Sequence, residues 1–176
     1  MEFGFNNGGM NDGNPRFGWV RGTIVDIMPT RQGGRRANGC VLFVTLETEN
    51  GDTVNVILSP VTYVVDFETL SVGMSCTFWY LADAPMILIY PPQYNAVVAA
   101  RDNNSRMIDV SYYGKEMVNQ ERTLQLKLDG SVDIRTTNNQ YFQGSPAEHD
   151  LVVIYETSTR SIPAQTTPKE IVVLCS

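Results

Sequence analysis

The sequence predicts an all-β fold, built as two small β units in tandem behind a disordered tail. Three observations carry this expectation. Val, Ile, Thr, Tyr and Phe are abundant and no amphipathic helical period is sustained, which favours strands over helices. Apolar runs of strand length recur between turn signals from residue 18 onward. One pattern also occurs twice: residues 76–100 read CTFWYLADAPMILIYPPQYNAVVAA and residues 151–175 read LVVIYETSTRSIPAQTTPKEIVVLC. Each is an apolar strand, a polar or proline-bearing crossover and a second apolar strand. Aligned 75 residues apart, Tyr80 falls on Tyr155, Ile87 on Ile162, Val97 on Val172 and Val98 on Val173.

The elements follow in order. Residues 1–17 hold Gly or Asn at eight positions and no apolar period, so they read as a disordered tail, with Phe3, Phe5 and Phe17 as its apolar points. GWVRGTIVDI (18–27) is a first strand and MPTRQGGRRANG (28–39) a loop. CVLFVTLETE (40–49) is a second strand and DTVNVILSP (52–60) a third. The Asn50-Gly51 pair between them predicts a type I′ hairpin. TYVVDFETLSVG (62–73) has room for one helical turn; residues 74–81 and 93–100 then close the unit. That order is the order of a five-stranded OB-type barrel over 18–100. Residues 101–105 (RDNNS) read as a linker, and 106–176 as a second, smaller barrel with turn signals at Asp129-Gly130 and Asn138-Asn139.

The blocks IYPPQYNAVV (89–98) and STRSIPAQTTPKEIVVL (158–174) resemble those of an uncharacterised bacterial family of small two-part β-barrel proteins. The resemblance covers most of residues 18–176 and leaves the tail outside. It implies a similar fold and brings no activity, cofactor or ligand with it. Related segments accompany other modules in cell-surface proteins, which implies an extracellular binding role.

Composition narrows the chemistry. A net charge of −6 opposes any role resting on general attraction to phosphate or anionic lipid. No Lys or Arg occurs between Arg36 and Arg101, whereas Glu47, Glu49, Asp52, Asp66, Glu68 and Asp83 all lie there. The longest apolar run, residues 84–90, suits a strand and falls short of a membrane span. No basic start followed by an apolar stretch marks a signal peptide, so the expected compartment is the cytoplasm or the cell envelope. Cys40, Cys76 and Cys175 form no short spacing; each lies in or beside an apolar strand and reads as a small hydrophobe. The single histidine, His149, follows Ser145-Pro146-Ala147 and reads as a solvated loop residue. No nucleophile elbow, phosphate loop or metal-ligand spacing is present. The expectation is therefore a non-enzymatic protein with no catalytic residue, metal or cofactor.

Two surfaces are candidates for binding. The loop between the first two strands carries Arg31, Arg35 and Arg36, which can grip phosphates while Trp19, Phe43 or Trp79 stack bases. The same arginines also read as a solubilising loop. The crossover carries Tyr90 and Tyr94 around Pro91-Pro92 and could line a sugar or peptide site. Its prolines equally read as rigidifying a strand boundary. The expected partner is a protein or glycan, with single-stranded nucleic acid through the arginine loop as the alternative.

Overall fold

A computed structural model describes residues 3–5, 13, 14, 16–30, 37, 39–85 and 88–175. Among them the fold is all-β, with one 3-10 turn at Val65–Phe67 as its only helical element. None of these residues forms a helix long and apolar enough to cross a membrane. The chain divides into two compact units, the first ending at Asp102 and the second running through Asn103–Ser176.

The first unit contains β1 (Phe3–Phe5), β2 (Phe17–Pro29), β3 (Leu42–Glu47), β4 (Thr53–Leu58), β5 (Tyr63–Val64), β6 (Ser75–Leu81), β7 (Gln93–Asn95) and β8 (Val98–Arg101). Hydrogen bonding orders them β5-β8-β6-β2-β3-β4-β7, with β1 added to β2. Apart from β1, the long strand β2 serves two partners. Its first half pairs with β6 and its second half with β3, and Thr23 faces both Ser75 and Glu47. A bulge between Ile24 and Asp26 lets the strand turn between the two. At the far end β7 runs parallel to β4, while β8 runs antiparallel to β6 and parallel to β5. Ala96 and Val97 alone separate β7 from β8, so one run of chain passes from one end of the path to the strand next to its other end. The core inside is Val20, Ile24, Val44, Leu46, Val54, Val56, Cys76, Phe78, Tyr80, Tyr94 and Ala99.

The second unit contains β9 (Met107–Tyr113), β10 (Leu124–Leu126), β11 (Asp133–Thr136), β12 (His149–Tyr155), β13 (Ala164–Thr166) and β14 (Glu170–Leu174). Its connectivity follows the same plan. β12 is antiparallel to β9 and β14, β13 is parallel to β10, and β14 is parallel to β11. Where the first unit has β3, single bridges Tyr113↔Asn119 and Val118↔Gln125 link β9 to β10. Leu151, Val153, Ile171 and Val173 point to its core, while Val152, Ile154 and Val172 on the opposite faces are buried as well. Burial on both faces is why these strands read as unbroken apolar runs.

Strand pairing corrects the alignment of the two patterns. Trp79 faces Val98 in the first unit, and Ile154 faces Glu170 in the second. With Trp79 set on Ile154, 75 residues on, Val98 falls on Glu170, 72 residues on. The expected match of Val98 to Val173 would set an outward residue on an inward one, an error of parity that the period of two exposes. The second crossover is three residues shorter.

Other expectations change too. Phe3–Phe5 pairs with Gly18–Val20, and Phe17 is buried at the head of β2, so these parts of the expected tail belong to the sheet. The exposed edge of β2 supplies the template that composition could not reveal. Arg101 ends β8, and the amide of Asp102 bonds Ser75 O, so the first unit takes in residues assigned to the linker. The described residues of 84–90 form no strand; Leu88, Ile89 and Tyr90 are exposed in the crossover. The β3–β4 hairpin is present, but Gly51 alone has positive φ (81°). Thr48 N–H bonds Asp52 O and Gly51 N–H bonds Thr48 O, a type I turn closed by a left-handed glycine in place of a type I′ turn. The turn at Asn138-Asn139 uses the same two bonds, Thr136 to Gln140 and Asn139 to Thr136, with Asn139 left-handed. Cys76 is buried in the core as expected of a small hydrophobe, whereas Cys40 and Cys175 are exposed. Burial first, with the carboxylates of Asp102 and Glu68 nearby, pushes the Cys76 thiol up to about 12.

Candidate functional site

Alternation along β3 and β4 builds a surface on the first unit. Val44, Leu46, Val54 and Val56 point inward, which turns Phe43, Thr45, Asn55 and Ile57 to the opposite face. The β2 bulge brings Asp26 opposite Thr45 and Met28 opposite Phe43. On the other side β7 places Gln93 opposite Asn55. The result is two cross-strand rows: polar Asp26–Thr45–Asn55–Gln93 and apolar Met28–Phe43–Ile57. Asp26 and Met28 are exposed, Thr45, Phe43, Ile57 and Gln93 are partly buried, and Asn55 is buried. Hydroxyl, carboxamide and carboxylate groups in one row, beside an apolar row, can hold a ligand through hydrogen bonds on one side and apolar contact on the other. Neither row contains a cation.

The crossover leads directly into this surface, since Asn55 N–H bonds Pro92 O. Tyr90 there is 81% exposed, and with Leu88 and Ile89 it forms an apolar tip. Tyr94, expected beside it, is a core residue. It faces Val56 across the parallel pair and stacks on Tyr80 at 4.1 Å. Burial pushes both phenol pKa values up. Trp79 is buried in β6, and Trp19 faces it across β2, away from both rows; Arg21 lies 5.9 Å over the Trp19 ring. Neither indole belongs to the two-row surface. Arg31, Arg35 and Arg36 lie outside the described residues. Of the aromatic residues considered from sequence, Tyr90 and Phe43 are therefore the ones at or beside this surface. Asp26, Thr45, Asn55 and Gln93 were missed. The alternation of β3 and β4 could have found Thr45 and Asn55, but Gln93 is placed by a long-range parallel pairing.

His149 is partly buried at the start of β12 and not in a solvated loop. Its Nδ1–H donates to Ala147 O at 2.9 Å, and its ring meets Phe142 edge-on at 5.4 Å. These contacts give it a positioning role in the chain entering β12. Among the described residues no three His, Cys, Asp or Glu side chains gather in a metal-holding group.

The second unit carries an inward polar network instead. The Tyr113 hydroxyl and the Asn119 amide, at 3.2 Å, both donate to Asp109 Oδ2. Asn119 Oδ1 accepts the amides of Thr123 and Leu124, at 2.8 and 3.1 Å. Ser111 donates to Glu121 at 3.2 Å. Desolvation raises the Asp109 pKa against these hydrogen bonds. Desolvation, aided by the Asp109 charge, brings Glu121 up to about 7. Because the folded chain holds the Glu121 proton more tightly than the unfolded one, its contribution to stability is full below about pH 4.5 and is lost as pH rises through about 7. The thermal midpoint is expected to fall across that window, and Glu121→Gln to flatten the fall; an unchanged slope in the variant would refute the assignment.

Comparison with known protein families, with characterised proteins and with solved structures returns no match for this chain.

Proposed function

We propose that the chain is a non-enzymatic binding or assembly module made of two small β-barrels in tandem, the first OB-like, with a protein or glycan as its partner. The strand order supports the barrel reading. The long bent strand β2 pairs with β3 and β6, and the broken run β7–β8 pairs parallel with β4 and antiparallel with β6. Kinship with the bacterial family of two-part β proteins belongs to the same proposal. OB-type barrels take ligands on the face of their second and third strands, beside the loops that border it. On this chain that face is the Asp26–Thr45–Asn55–Gln93 row with Met28, Phe43 and Ile57, and it is the observation that carries the reading. The lack of Lys and Arg from 37 to 100 argues for hydrogen-bonded and apolar recognition over phosphate tracking.

The test is a titration of the full chain against glycan, peptide and oligonucleotide panels. A protein or glycan ligand is expected to lose about tenfold in affinity with Gln93→Ala or Tyr90→Ala. It should keep most of its affinity as salt rises. Preference for an oligonucleotide, with a steep salt slope relieved by Arg35→Ala and Arg36→Ala, would overturn this reading in favour of single-stranded nucleic acid.

A further inference from the structure

A hairpin tip stands in the second unit where the first has a full strand. β3 pairs with β2 along its whole length, whereas residues 119–123 meet β9 through one backbone bridge, Tyr113↔Asn119. The tip folds on itself: Asn119 N–H bonds Leu124 O at 2.9 Å, and Arg122 N–H bonds Asn119 O at 3.0 Å. Arg122 is left-handed, with a φ of 59°, a strained conformation for a residue with a side chain.

Side-chain hydrogen bonds around two acids hold the tip to β9. Ser111 Oγ accepts the Gln120 amide at 3.0 Å and donates to Glu121 Oε2 at 3.2 Å. Asn119 Nδ2 donates at 3.2 Å to Asp109 Oδ2, where the Tyr113 hydroxyl also donates. Glu121 Oε1 is buried without a hydrogen-bond partner. Asp109 is the charge that acts on Glu121, and the phenols of Tyr113 on β9 and Tyr155 on β12 stand beside the pair. Among the described residues no cation acts on either carboxyl group. Lys115, Glu116 and Arg122, the other charged residues of this stretch, are exposed. An ionised Glu121 therefore adds a second negative charge to the site and leaves one of its oxygens desolvated, whereas the neutral acid does neither. Gln120, held on Ser111, and the left-handed Arg122 fix the direction of the side chain between them. The ionised group reaches water by carrying the tip with it.

We infer that residues 119–123 form a pH-gated latch: with Glu121 neutral the tip is closed on Ser111 and Asp109, and with Glu121 ionised it lifts from β9 while β9, β12 and β14 stay paired. Glu121 holds its proton more tightly in the closed form than in the open one. Closure is thus favoured in acid and lost as pH rises through neutrality. Opening uncovers Asp109 and the edge of β9 at 111–113, a template for a further strand. The latch belongs to the second unit and does not depend on the binding surface of the first.

Amide hydrogen exchange of the full, isotope-labelled chain tests it, with rates corrected for the intrinsic effect of pH. Protection of the Gln120 amide is expected to fall at least about tenfold between about pH 5.5 and pH 8.5. It should lie well below that of Val152 and Val172 throughout and not respond to low urea, whereas those two amides, which exchange by opening of the whole unit, should respond. Glu121→Gln should hold Gln120 protection constant with pH. The carboxyl carbon signal of Glu121, which needs no variant, should titrate with the same midpoint as the loss of protection. If Gln120 matches Val152 and Val172 in protection and in urea response, the unit opens as one body and the latch is overturned. Titration of Glu121 with Gln120 protection unchanged means that the side chain leaves alone, which overturns it too. So does an equal fall in Glu121→Gln, which would assign the effect to another group.

Discussion

Asn119→Ala is expected to destabilise the second unit by about 3 kcal/mol or more, enough to unfold much of it at ambient temperature. The size follows from what one carboxamide does. Asn119 is buried; its oxygen takes the amides of Thr123 and Leu124, and its nitrogen donates to Asp109 and to Thr123 Oγ1 at 2.9 Å. Alanine strands two backbone donors and removes one of the two donors holding a desolvated carboxylate. Denaturant titration with probes in each unit would check this, the loss falling on signals from 103–175. Tyr113→Phe removes only the other donor to Asp109 and is expected to cost less, about 1–3 kcal/mol. The pair should be non-additive, because both act on the same carboxylate. If Asn119→Ala behaves like an ordinary surface substitution, the network is not what holds this segment.

Gly18→Ala is the second large effect. An alanine Cβ there would lie 2.5 Å from the Tyr80 ring, and Tyr80 cannot swing aside because it is buried and stacked on Tyr94. Overpacking of this kind costs about 1–3 kcal/mol, so the first unit should melt several degrees lower. Tyr80→Phe should not rescue the variant, since the contact is with the ring carbon as well as the hydroxyl. Tyr80→Val should rescue part of the loss. Additive costs in the Gly18→Ala/Tyr80→Val double variant would show that the two positions do not meet.

The same residues mark what sequence can and cannot deliver. Strands β3 and β4 were legible because Leu46 and Val54 alternate with polar neighbours, their ends are rich in β-branched and aromatic residues, and Gly51 marks a turn between them. The turn type was not legible, since Asn50-Gly51 satisfies two geometries and the flanking ladder decides between them. Tyr94 was misplaced because only three residues separate it from the exposed Tyr90, while its burial depends on Val56, 38 positions earlier. Gly18 and Gly22 passed unnoticed for a related reason: their function lies in Tyr80 and Glu47, distant partners for which a lone glycine carries no local sign. Of the surface rows, Thr45 and Asn55 were within reach of the alternation, but their alignment with Asp26 required the bulge.

The joining of β7 to β8 has a kinetic consequence. The last stretch of the first unit to leave the ribosome is the one that pairs with β4, β5 and β6, so no sheet ending at β6 is closed on both sides. Nascent chains up to about residue 90 carry open edges on β4 and β6, and folding waits on contacts of large sequence separation, which are slow to form. The interval between synthesis of β6 and of β8 is thus when this unit is most exposed to mispairing.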